Sequence, residues 1–147
     1  MQQTRKIGFC ADHAGYEMKD RLLARLRKEG YEVVDFGTNG PESVDYPDFA
    51  HPLALAVESG KVDCGIAFCG SGEGMAISLN KHAGIRAALV WNPKIAALSR
   101  MHNDSNVLVM PARFISWDMC KRISSEWLST AFEGGRHVRR VEKISKW

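Results

Sequence analysis

The chain has 147 residues, 45% hydrophobic and 25% charged, with a net charge of +3 at pH 7, which suits one domain spanning 1–147 with a core of its own. So mild a charge implies no nucleic-acid partner, no apolar run is long enough for a membrane span, and the first residues hold no secretion-type apolar stretch, so a cytoplasmic protein is expected. Four cysteines raise the question of disulfides, but Cys64 and Cys69 share one predicted strand at odd spacing and face opposite ways, so free thiols are expected.

In chain order, Lys6–Ala11 reads as a strand, and Gly15–Glu29 as a helix with Met18, Leu22, Leu23 and Leu26 at helical spacing and Gly30 as its stop. Tyr31–Val34 is a short second strand. A loop rich in Gly, Pro, Ser and Asp, Gly37–Asp45, leads to a helix with Phe49, Leu53, Ala56 and Val57 inward, stopped by Gly60. Cys64–Phe68 and Ala87–Val90 are continuous apolar runs, as expected for strands covered on both faces. Asn92-Pro93 is a strong helix start, an N-cap side chain followed by proline at the first helical position. Val107–Met110 is a fifth strand, and Ser116–Ala131 an amphipathic helix with Trp117, Cys120, Ile123, Trp127 and Leu128 on its apolar face, the two tryptophans serving core or dimer contacts. Glu133-Gly134-Gly135 breaks it before a last basic helix, Arg136–Lys146, whose charges taken alone read as a solvated face. Strands alternating with helices imply a three-layer α/β/α sandwich around a five-stranded parallel sheet, with ligands bound beyond the carboxyl ends of the strands.

That rule selects polar residues. Asp12 and His13 follow the first strand, Cys69 and the loop Gly70-Ser71-Gly72-Glu73-Gly74 follow the third, and Arg113 follows the fifth. His102 and Asn103 end the helix after the fourth strand, and Arg136 and Arg140 begin the last helix. A thiol, imidazoles, a carboxylate and a glycine loop are expected to gather at one edge. Backbone N–H groups at the start of the following helix should bind anions and lower the pKa of the Cys69 thiol.

Three chemistries compete for these residues. A nucleotide site is disfavoured: the glycine loop is not the dinucleotide fingerprint, no acidic residue closes the fourth strand, and the P-loop lysine is absent. A metal site from Cys10, His13, Cys69 and His102 lacks the paired spacing of structural zinc sites. Proton transfer on a phosphorylated sugar fits better. Interconverting aldose and ketose needs a base, donors for an enediolate oxygen, a group to open the ring and a distant phosphate anchor. Cys69, the N–H groups of Gly70–Gly74, His102 and the Arg136/Arg140 pair offer one of each, and no metal or redox cofactor is needed.

The segments Asp12-His13-Ala14-Gly15, Asp45-Tyr46-Pro47, Cys69–Gly74, Asn80-Lys81, Gly84-Ile85-Arg86-Ala87, Arg100-Met101-His102-Asn103-Asp104 and Glu133-Gly134-Gly135-Arg136-His137 resemble type B ribose-5-phosphate isomerase. The wider family also holds allose-6-phosphate isomerase and the galactose-6-phosphate isomerase subunits. The resemblance runs from Lys6 to about Lys143 with the motifs in order. It implies a Rossmann-like fold, no cofactor, and a homodimer, in some members a dimer of dimers, whose active sites borrow residues across the interface. It further implies that Cys69 is the base moving a proton between C1 and C2, and that His102 opens the furanose ring. Asp12, His13, Ser71 and Asn103 would hold the sugar hydroxyls and ring oxygen, with Tyr46 nearby. Arg136 and Arg140, assisted by His13 and Arg113, would take the phosphate.

Two departures stand out. Some members lack the cysteine and carry a glutamate just after the loop; here that position is Met75, so the thiol has no substitute. Glu73 sits inside the loop where many relatives have a neutral residue. It is expected to face solvent, though a carboxylate there could raise the thiol pKa. Galactose-6-phosphate isomerase resembles a system split between two subunits, whereas this chain holds Cys69, His102 and both arginines, which favours a self-sufficient homo-oligomer. Allose 6-phosphate stays open as a substrate, and a sugar-phosphate-binding protein without catalysis would need no thiol at this place.

Overall fold

A computed structural model describes residues 5–147. Five strands, β1 (Lys6–Ala11), β2 (Glu32–Asp35), β3 (Cys64–Cys69), β4 (Ala87–Leu89) and β5 (Val107–Pro111), alternate with α1 (Tyr16–Lys28), α2 (Pro47–Glu58), α3 (Glu73–Leu79), α4 (Pro93–Asn103) and α5 (Trp117–Ser129), and α6 (Arg136–Lys143) closes the chain. The sheet is parallel throughout, in the order β2-β1-β3-β5-β4. Boundaries differ from the sequence reading by a residue or two, except that α6 stops at Lys143 rather than Lys146.

The period-2 alternation of the strands divides the core in two. Ile7, Phe9, Ala11, Cys64, Ile66, Phe68, Leu108 and Met110 face Leu22, Leu23 and Leu26 of α1, Ala96 of α4, and Cys120, Ile123 and Trp127 of α5. Cys10, Ala67, Cys69, Val107 and Val109 face Ala50, Leu53 and Ala54 of α2 and Met75 and Leu79 of α3. Cys64 and Cys69 therefore lie on opposite faces, and all four cysteines are free. Helix starts follow the local chemistry: the Asn92 carboxamide accepts the Ile95 N–H at 2.9 Å ahead of Pro93, and Ser116 Oγ accepts the Met119 N–H at 3.0 Å. Trp127 is core, its Nε1 donating to Ser105 Oγ at 2.8 Å. Trp117 is half-buried under the Arg21 guanidinium, 4.3 Å above its ring.

One buried charge escaped the sequence reading. Lys19, on the inward face of α1, is 0% exposed. Its Nζ donates to Asp35 Oδ1 at 2.7 Å and Asn39 Oδ1 at 3.0 Å and lies 2.9 Å from Asp20 Oδ1. Asp35 also accepts the Gly37 N–H at 2.9 Å, so the ammonium ties the end of β2 and the loop beyond it to α1. A buried charge is tolerated only with such partners. No helix among the described residues is long and apolar enough to cross a membrane.

Candidate active site

The carboxyl ends of β1, β3 and β5 bring part of the expected set together. Cys69 ends β3, 4% exposed. Gly72 stands at the N-cap of α3 with φ +81°, in the left-handed region, where an added Cβ would fall 2.4 Å from Leu89 Cδ1; only glycine allows this turn at low cost. The turn aims the N–H groups of Met75, Gly72 and Gly74 at the Cys69 sulfur.

The expected lowering of the thiol pKa is not found. Burial pushes the Cys69 thiol above its ordinary value, and the Asp12 carboxylate pushes it further; the N–H groups of Met75, Gly72 and Gly74 pull the other way and recover only part. The carboxylate beside the thiol is thus that of Asp12, 7% exposed, while Glu73 faces solvent as expected.

The remaining residues of this rim surround the loop. Asp12 Oδ1 accepts the Ala14 N–H at 3.0 Å, which holds the turn after β1. His13 Nδ1 accepts the Val44 N–H at 3.2 Å, a bond that leaves Nε2 as the protonated nitrogen free to donate. Tyr46, at the N-cap of α2, rests on Gly74. Arg113 donates its N–H to the Gly70 carbonyl at 3.0 Å and lays its side chain along Gly70. Ser71 Oγ accepts the Glu73 N–H at 3.3 Å and is exposed.

His102, Asn103, Arg136 and Arg140 are not on this rim. Helix α4 starts beyond the carboxyl end of β4 and returns antiparallel to the strands, so its last turn lies at their amino ends. There the Arg86 side chain, just before β4, donates to the Asp104 carbonyl at 2.9 Å, and the Asn106 N–H donates to the Arg86 carbonyl at 3.0 Å. Cys69 pairs with Pro111, the far end of the five-residue strand β5, roughly 16 Å away along the sheet. The single-edge gathering expected from sequence therefore fails within one chain, and so does the Cys10, His13, Cys69 and His102 metal set.

The amino rim is a site of its own. The ring of His102 stacks on that of His137 in α6, with centroids 4.4 Å apart and an interplanar angle of 15°. Arg140 and Asn103 line the same hollow, and Arg136 and Arg140 are exposed one turn apart. His137, expected on a solvated face, is 4% exposed. Burial and the neighbouring His102 push its imidazole below the usual pKa; Glu133 acts against them, and Arg136 and Arg140 add to them. Arg100 and Asp104 of the same motif are structural: Arg100 donates to the Thr130 carbonyl at 3.1 Å and to Asp104 Oδ1 at 3.0 Å.

Known proteins share this fold. The Ribose/Galactose Isomerase family model matches residues 7–144. Ribose-5-phosphate isomerase B of Escherichia coli is 47% identical, over 96% of this chain and 95% of its own. Among solved structures, ribose-5-phosphate isomerase B of Clostridium thermocellum is 50% identical with a TM-score of 0.95, covering 96% of this chain and 95% of its own. That of Mycoplasma genitalium, with bound ribulose-5-phosphate, is 38% identical with a TM-score of 0.93, covering 99% and 97%. Fold and sequence agree over nearly the whole matched length, and the chain belongs to the ribose/galactose isomerase family.

Proposed function

We propose that the chain is an aldose–ketose isomerase interconverting D-ribose 5-phosphate and D-ribulose 5-phosphate by proton transfer through an enediolate, without a cofactor. The observation that carries this reading is the buried Cys69 thiol with three backbone N–H groups aimed at it, in a family whose relatives bear the name of this activity. The Mycoplasma genitalium relative holds ribulose-5-phosphate. As thiolate, Cys69 takes the proton from C2 of the open-chain aldose and returns it to C1, while the hydroxyl proton of O2 passes to O1. Neighbouring N–H donors and His13 Nε2 face these two oxygens as they change charge. Asp12, Ser71 and Tyr46 hold hydroxyls, and Arg113 reaches the phosphate.

Ring opening by His102 and phosphate capture by Arg136 and Arg140 belong to a second copy of the chain. Two half-sites on opposite rims fit a two-fold homodimer, in which one chain's amino rim covers the partner's thiol. Exposed Tyr46, Trp91 and Phe114 on the carboxyl side, with Val138 on α6 and Ile144 just after it, supply apolar surface for such a contact. A dimer of dimers is compatible with the same arrangement.

The test is a coupled assay of purified protein with ribose 5-phosphate, allose 6-phosphate and galactose 6-phosphate. Turnover of ribose 5-phosphate well above the other two is the expected result. Dominant turnover of a six-carbon phosphate would move the substrate within the family, and binding of all three without turnover would make the protein a sugar-phosphate binder.

A further inference from the structure

His102, Glu133 and His137 bring two imidazoles and a carboxylate to one point, with a ligand atom of each within 4.8 Å of the others. The Glu133 N–H donates to the Met101 carbonyl at 3.1 Å, fastening Glu133 beside His102. The glycine pair Gly134-Gly135, both at positive φ, then turns the chain so that His137 faces the same point from the first turn of α6. His137 Nε2 is the one buried side-chain polar atom among the described residues without a hydrogen-bond partner. Its nearest acid, Glu133 Oε1, is 3.8 Å away, too far for a hydrogen bond. Two atoms sharing a tetrahedral zinc ion sit about 3.4 Å apart, so a small closing movement would let both bind one ion.

We propose that His102, Glu133 and His137 bind one divalent transition-metal ion of zinc's class, and that the bound ion withdraws His102 from the sugar. Two imidazole nitrogens and one carboxylate with an open position form a set typical of zinc, whereas magnesium and calcium favour all-oxygen shells. His137 is buried and fixed. His102 is half-buried, and turning its ring about χ2 out of the stack aims a nitrogen at the ion. Arg136 and Arg140 stand beside the same rim and their charges weigh against a dication. The ion must therefore be held by its three ligands, and it competes with the sugar through His102, which cannot serve both. The inhibitory half rests on the ring-opening role given to His102 above; the binding half does not.

The probe is Co2+ added to chelator-treated full-length protein, followed by its visible absorption and displaced by Zn2+. One Co2+ per chain is expected, displaced by Zn2+ and not by Mg2+, with at least about tenfold weaker binding in Glu133→Gln and His137→Gln. Both variants should keep the wild-type circular dichroism. Absence of a saturable spectrum, equal affinity in wild type and both variants, or thiolate charge-transfer bands that vanish in Cys69→Ala would overturn the site. With binding established, equimolar Zn2+ should depress turnover of ribose 5-phosphate, and Glu133→Gln should blunt that effect. Binding at the three residues with undiminished turnover would overturn the inhibitory half and the role of His102 while leaving the site intact.

Discussion

The phenol end of Tyr46 lies against Gly74 so closely that a methyl group there would fall 2.4 Å from Cζ. This contact joins the start of α2 to the start of α3 and sets Tyr46 over the loop that faces the thiol.

Replacing Gly74 with alanine should therefore push the ring away or tilt the loop, at a cost of about 10²-fold in kcat/KM, the scale of a 1 Å misplacement. In Gly74→Ala/Tyr46→Ala the clash disappears, and the double variant should lose less than the product of the single losses. Strict additivity in a double-mutant cycle would show that the two residues act independently.

Cys69→Ala should lower kcat by about two to four orders of magnitude, the contribution of a positioned base. The charge on Asp12 favours the neutral thiol, so Asp12→Asn should raise the thiolate fraction at a fixed pH. Alkylation of Cys69 by iodoacetamide at pH 8 should then be faster in Asp12→Asn than in the wild type, even as that variant binds sugar less well. Slower alkylation would contradict the placement of Asp12 beside the sulfur.

Arg136→Met and Arg140→Met should each raise KM for ribose 5-phosphate by about 10- to 100-fold, the loss of a hydrogen bond to a charged group. Ribose without its phosphate should be a poor substrate. Equal activity on free ribose would remove the anchor.

Cys69→Ala and His102→Asn proteins, each inactive alone, should recover activity when unfolded and refolded together. Random assortment makes about half the dimers mixed, and a mixed dimer with shared sites carries both lesions in one site and none in the other, so about a quarter of all sites are intact. No recovery, with mixed dimers confirmed by mass spectrometry, would falsify the shared site.

Sequence and structure part company at a definable place. Local signals carried the fold: Asn92-Pro93 starts α4 where expected, and the alternation through Cys64–Cys69 puts those thiols on opposite faces. Cys69 at a strand end and the glycine turn that follows it were legible for the same reason, since each depends on a few adjacent residues, although which glycine takes the left-handed conformation was not. Three features depend on elements far apart in the chain. The direction of α4 removes His102 from the thiol's rim. The burial of Cys69 outweighs the N–H groups that were expected to lower its pKa. The packing of α6 on α4 buries His137, which composition alone placed on a solvated basic face. Lys19 was hidden similarly, its partners Asp35 and Asn39 lying beyond the next strand.

The raised pKa of Cys69 also bears on how long the protein lasts. Peroxides attack the thiolate, and oxidation past the sulfenic acid is in general irreversible. A sulfur that burial and Asp12 keep protonated at neutral pH presents little of the form that peroxides consume, and its 4% exposure leaves them little access. The thiolate that would take a sugar's proton and the thiolate that would be oxidised are one scarce species, so reactivity withheld from the resting protein becomes chemical durability.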